Sequence, residues 1–288
     1  MKDLFSIYRF ARDFANLFSI SNARNISKLF GFIAYFLFLT KRFTVERNLK
    51  IVFGDNIQKN KIKFITREIF RNFSEVIYEF LMLPRYRKIW FQTKIENPEE
   101  IEKISRLIEK KESVINLSGH IGNWEFLAAF GAFRKLKALI ITAPHMMRPD
   151  TLFFEKQRKR LGLVCVGMNN SAKSLIKSVK SPSSLTAILS DRLYTGSSVR
   201  VDIFNREKHI TSGGFRLASK YYLNMFFSLA IKLKNDKYRL IIDGPYKRQE
   251  NESEEKAFNR LVRKYSELYE KYVKKYPEQW YFFSSFIE

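Results

Sequence analysis

The sequence predicts an α/β protein led by a helical N-terminal section. From about residue 99, short apolar runs alternate with helix-like segments, the texture of βαβ units and a largely parallel sheet. Before residue 90, apolar side chains recur three or four apart, as on one face of a helix. With 288 residues, 45% hydrophobic and 16% aromatic, the chain has enough apolar material for a substantial core. The expected division is a helical region over 1–90 and an α/β region over 91–288, with no Pro/Gly-rich linker between them.

The elements follow in order. DLFSIYRFARDFANLF, residues 3–18, places Phe5, Tyr8, Ala11, Ala15 and Phe18 at helical spacing around Arg9, Arg12 and Asp13, an amphipathic helix. LFGFIAYFLFL, Leu29 to Leu39, is an uninterrupted apolar run between Lys28 and the Lys41–Arg42 pair. Eleven residues cover only about half of a hydrocarbon core. The run is therefore read as a membrane-embedded or interfacial anchor, with a buried core helix as the alternative. The following KRFTVERN offers no signal-peptide cleavage site.

Ile62, Ile65, Ile69, Phe73, Val76, Ile77, Phe80 and Leu81 mark a long amphipathic helix. After a charged helical stretch, Glu99 to Glu112, come SVINL as a strand, SGHIGN as a loop and WEFLAAFGAF as a helix. ALIITA, LVCVG and SLTAILS read as further strands, with FFEKQRKRLG and AKSLIKSVK as the helices between them. SVRVDIF, FFSLAIKL and YRLIIDG are strands, TSGGFRLASKYY is a helix, and Glu254 to Lys275 is a long charged helix read as a solvated face.

Fifty-two Lys and Arg against 29 Asp and Glu give a net charge of +23, which draws the chain towards polyanions. The basic residues are spread among aromatic and aliphatic ones, favouring an anionic membrane over nucleic acid. No helix-turn-helix, zinc or RNA-binding signature supports a non-enzymatic binder of nucleic acid. The single Cys165, inside an apolar run, has no partner for a disulfide or a zinc site. It reads as a core residue.

Chemistry in an open α/β sheet gathers in loops at the carboxyl ends of strands. SGHIGN is such a loop. Gly119 and Gly122 allow the chain to turn, Asn123 is placed to cap the next helix within reach of substrate, and Glu125 falls in its first turn. The expectation is that Glu125 reaches back to His120, fixing the imidazole as a general base. With no serine or cysteine in a nucleophile elbow, the nucleophile would be a substrate hydroxyl, and acyl transfer to an alcohol follows. The spacing alone is weak, since HMMRPD holds a second His-x4-acid copy, His145 to Asp150. Gly213 and Gly214 are either helix N-terminal amides for a phosphate or oxyanion, or a plain loop. Phe153 to Gly162 is read equally as a solvated face and as a binding surface for an acidic carrier protein or lipid phosphates.

The loop LSGHIGNWE resembles the His-x4-Asp/Glu motif of thioester-dependent acyltransferases. The collinear order of YRFAR, VERNLKIVFG with FRNFSEVIYEFL, LSGHIGNWE, MMRPD before RLGL, KSLIKSVKSPSSLTAILSDR, FNREKHITSGGFRLA and YPEQWYFF resembles the bacterial lipid A biosynthesis acyltransferase family over most of the chain. The resemblance implies a glycerol-phosphate-acyltransferase-like domain behind membrane-associated helices. It implies His120 as base with Glu125 as partner, and Arg148 and Asp191 as substrate contacts. The family usually has Gln or His after that aspartate, whereas this chain has Arg192. It demotes His145, beside the Arg-Pro step, and leaves Asp150 as a helix cap.

Implied too is O-acyl transfer from acyl carrier protein to a lipid A precursor at the cytoplasmic face of a bacterial inner membrane. No covalent acyl-enzyme, metal or cofactor is expected. The alternative is a relative acylating another glycolipid, such as a mannosylated phosphoinositide, from acyl-CoA.

Overall fold

A computed structural model describes residues 13, 20–83, 88–142, 149–167, 171–193 and 196–287. Apart from Asp13, the expected helix over residues 3–18 lies outside the described residues. From residue 20 on, the described helices begin with α1 (Ile20–Leu37), α2 (Leu39–Phe53) and α3 (Lys59–Met82). Then come α4 (Lys88–Lys94), a 3-10 turn (Pro98–Ile101) and α5 (Glu102–Glu109). β1 (Val114–Ser118), α6 (Trp124–Phe133), β2 (Ala138–Thr142), α7 (Pro149–Arg160), β3 (Val164–Gly167), α8 (Ser171–Lys180) and β4 (Leu185–Leu189) alternate as predicted. A hairpin of β5 (Ser198–Ile203) and β6 (Arg206–Thr211) precedes α9 (Gly213–Lys220), β7 (Asn224–Lys232), β8 (Tyr238–Tyr246) and α10 (Glu254–Lys275).

The central sheet has the order β3-β2-β4-β1-β7-β8. Its pairs are parallel except β7 with β8. β1 is buried along its whole length because helices cover both faces, as parallel sheets require. Ile115 and Leu117 pack with Phe215, Leu261 and Tyr265 of α9 and α10, while Val114 packs with Phe80, Phe126 and Phe130 of α3 and α6. Val45, Leu49, Ile62 and Ile69 belong to the same core as Ile115 and Leu117, so helices before residue 90 share their interior with the sheet.

The run Leu29 to Leu39 is divided between the end of α1 and the start of α2. The helical path breaks at Phe38 (φ −95°, ψ 62°), and among the described residues no helix is long and apolar enough to cross a membrane. Gly31 lets α1 press on α3, where a Cβ would stand 2.6 Å from the Phe70 carbonyl oxygen. The other faces are open: Leu37 is 71% exposed and Phe38 59%, beside Leu29, Phe30, Ile33 and Phe36.

The solvated reading of α10 holds for one side only. Leu261, Val262, Tyr265, Leu268, Tyr269, Tyr272 and Val273 recur at helical spacing and are buried against the sheet. The segment REKHIT, of which only Thr211 was assigned from sequence, and to a helix, is β6. It is joined to β5 by Phe204 and Asn205, both at φ 57°.

Candidate active site

The register of two parallel strands builds the site. Ser118 of β1 lies opposite Leu189 of β4, and the Ser190 amide donates to the Ser118 carbonyl at 2.9 Å. Two residues further along each strand stand His120 and Asp191. His120 Nδ1 lies 2.8 Å from Asp191 Oδ1, and the His120 amide donates to Oδ2 at 3.0 Å. Behind the carboxylate, Tyr269 Oη donates to Oδ2 at 3.3 Å and itself accepts from Trp280 Nε1 at 2.8 Å.

The electrostatics fix the imidazole's state. Burial works to raise the Asp191 carboxyl, but the attraction and hydrogen bond of His120, with help from Arg192, overcome it and bring the pKa down to about 2. An ionised carboxylate only accepts hydrogen bonds, so Nδ1 carries the proton and Nε2 keeps its lone pair. Burial also pushes the His120 pKa below its ordinary value, against the pull of Asp191 and with the repulsion of Arg192. At neutral pH the imidazole is an uncharged base.

Glu125 is not the imidazole's hydrogen-bond partner. Its carboxylate takes a two-pronged pair from Arg158 of α7, with Nε to Oε2 at 3.1 Å, and accepts from Trp124 Nε1 at 3.2 Å. The physical reason is direction. As the second residue of α6 Glu125 projects towards α7, whereas the neighbouring strand delivers Asp191 directly to Nδ1. Asp191, expected as a substrate contact, stands behind the imidazole and is 1% exposed.

Asn123 caps α6 by accepting from the Phe126 amide, and its amide nitrogen donates to Glu79 at 2.8 Å and to Tyr238 Oη at 3.1 Å. Those bonds face the protein interior, and Asn123 is 1% exposed. Glu79 in turn binds Lys232, which also meets Glu75 and Asp236. Arg24 of α1 joins the same cluster through Glu75 and Asp236. The loop is pinned from the other side as well: the backbone amide of Tyr281 donates to the His120 carbonyl, that of Gly122 to Gln279 and that of Asn123 to Ala230. Gly122 sits at φ +66°, where a Cβ would strike the Ala230 carbonyl.

Arg148 and His145 lie outside the described residues, and Asp150 is the second residue of α7. Gly214 serves close packing, since a Cβ there would come within 2.5 Å of Leu117. Gly213 opens α9 with free space around it. The Phe153 to Gly162 string is partly internal, with Gln157 bonded to the Leu81 carbonyl and Arg158 to Glu125.

A cavity of about 290 Å³ begins at His120, Trp124, Glu125 and Arg158 and runs beneath the sheet between α3, α5 and α6. Its walls are chiefly Phe80, Ile104, Leu127, Ala138, Leu185 and Ile242. A neutral base at one end of an apolar cavity suits a reaction on the head of a hydrocarbon chain.

The match that decides the family spans residues 4–285, nearly the whole chain, and is to the bacterial lipid A biosynthesis acyltransferases. The chain belongs to that family. Family membership makes it an acyltransferase and sets aside the reading as a non-enzymatic basic binder. No curated protein matches the chain. Asp191, Tyr269, Trp280 and Arg158 assemble around this acyltransferase's histidine from four separate segments. A strand end followed by Asp signalled Asp191, and Arg158 and Trp280 lay in segments singled out for other reasons.

Proposed function

We propose that the protein transfers a fatty acyl group from a thioester, carried by acyl carrier protein, to a hydroxyl of a lipid A precursor. The observation that carries the mechanism is His120, oriented by an ionised Asp191, in the wall of the apolar cavity. The chain enters the cavity with its thioester carbonyl beside Nε2. Nε2 takes the acceptor hydroxyl's proton as that oxygen attacks the carbonyl carbon. The carbon–sulfur bond then breaks, and the departing thiolate recovers the proton from the imidazolium, leaving an ester and a free thiol. Glu125 and Arg158 act as a charged pair that shapes the cavity entrance, and Glu125's negative charge also favours the imidazolium.

The lipid acceptor is met at a bilayer surface. The exposed Leu29, Phe30, Ile33, Phe36, Leu37 and Phe38 form an apolar seat, flanked by Lys28, Lys41 and Arg42, for an interfacial rather than spanning position at the cytoplasmic face of the inner membrane.

The test is transfer of a radiolabelled acyl group from acyl carrier protein to a lipid A precursor, with acyl-CoA and a mannosylated phosphoinositide as rival donor and acceptor. Transfer that disappears in His120→Ala supports the assignment. Transfer only to the rival acceptor moves the substrate, and transfer unaffected by His120→Ala refutes the mechanism.

A further inference from the structure

We propose that Gly131 sets the length of the acyl chain this enzyme accepts, because its missing side chain holds open the end of the cavity away from His120. The inference rests on the reading of that cavity as the acyl pocket.

One wall of the cavity is α6, through Trp124, Leu127, Ala128 and Gly131. These four follow one another at three- and four-residue steps, a single face of the helix. Trp124 stands against the His120 ring, 4.9 Å between centroids, and Gly131 lies two helical turns further on, about 10.5 Å. The sheet gives a similar depth. Leu189 pairs with Ser118 near the histidine, whereas Leu185, which pairs with Ala138, lies four residues back along β4, about 13 Å. Leu185 and Ala138 line the cavity, as does Leu136, whose amide donates to the Gly131 carbonyl at 2.9 Å.

Neither backbone shape nor close packing calls for glycine at 131. The residue lies inside α6 and is not among the glycines with positive φ, and glycine within a helix is destabilising relative to alanine. The other buried glycines, Gly31, Gly119, Gly122 and Gly214, each have an atom within 3 Å of where a Cβ would stand. At Gly131 there is nothing within 4 Å. Gly54, Gly162, Gly167, Gly196 and Gly213 have the same room, but they are exposed or partly exposed and their free space is solvent. Gly131 is buried and lines the cavity, so its free space is the cavity itself.

The apolar floor of Leu136, Ala138 and Leu185 suits the methyl end of a saturated chain. Each methylene that reaches this end leaves water, so the longest chain that fits binds best. A side chain at 131 would occupy the space of the last carbons.

The experiment uses the full chain in detergent and displaces a fluorescent fatty acid with saturated fatty acids of increasing length. Gly131→Leu is expected to move the optimum to shorter acids and to weaken the wild type's best acid about tenfold or more, since each methylene kept out costs about fourfold in affinity. Gly131→Ala is expected to shift the profile the same way by about one methylene, with a melting temperature equal to or above the wild type's. That stability separates a change of cavity from damage to the fold, and the alanine variant carries the test alone if leucine prevents folding. A length profile unchanged in a folded variant, or affinity lost equally at every length, overturns the proposal and leaves the acyl-pocket reading standing. Failure of every acid to bind the wild type overturns both.

Discussion

His120 and Asp191 form a pair whose two pKa values move down together, and this sets the pH behaviour. Burial outweighs the carboxylate's pull, so the imidazole loses its proton below the usual value of about 6.5. The acid limb of kcat/KM is therefore expected below that pH. Removing the neighbouring positive charge in Arg192→Leu should move the limb upward, because the cation lowers the imidazole pKa. A pH profile measured on both proteins checks the sign. Asp191→Asn should lower kcat by about 10²–10⁴-fold, because an amide no longer fixes the tautomer. Glu125→Gln should act differently, costing about 3 kcal/mol of stability because Arg158 is left buried without its counter-charge. Denaturant unfolding alongside kinetics separates the two residues: a Glu125→Gln enzyme of normal stability would contradict the pairing.

At the scale of elements, the reactive loop is held by segments distant in sequence. α10 contributes Tyr265, which donates to the Ser118 carbonyl at 2.9 Å, and Tyr269, which braces Asp191. Tyr269→Phe is expected to destabilise by about 1–3 kcal/mol, since the Trp280 indole N–H loses its acceptor, and to reduce kcat more than it changes KM. Gly122→Ala faces both a positive φ and the Ala230 carbonyl, so a cost of about 1–3 kcal/mol from the backbone alone is expected in thermal unfolding. The spacing of apolar residues marks most helices and central strands, and the charged stretch Glu254 to Lys275 has the limits of α10. The β6 strand escapes that reading because REKHIT lacks an apolar run: Lys208 is buried among Phe282 and Phe286, where a charged residue signals the opposite.

For the whole molecule, the exposed apolar α1–α2 corner and its basic flank predict attachment to bilayers. Phe36→Asp with Phe38→Asp should weaken binding to anionic vesicles at least about 100-fold, since each buried phenylalanine is worth about 1.5–3 kcal/mol. Added salt should weaken the wild type by screening the +23 charge. A sedimentation assay reads both effects, and salt-independent binding would remove the electrostatic part of the argument. The cluster of Arg24, Glu75, Glu79, Lys232 and Asp236 joins the first turns of α1 to Asn123 beside the reactive loop.

Composition, apolar periodicity and motif order were enough to settle that this chain is a mostly parallel α/β acyltransferase of its family, with His120 in a loop after a strand. These are properties of contiguous residues, and a sequence displays them directly. The partner of the histidine was another matter. Sequence proximity favours Glu125, five residues away, whereas the register of β1 on β4 brings Asp191 from 71 positions further on to within 2.8 Å. Strand order and register arise from packing both faces of a sheet at once, a collective choice that no local stretch encodes. The same choice turned Glu125 towards Arg158, set Asn123 facing inward and opened an apolar cavity that His120 lines.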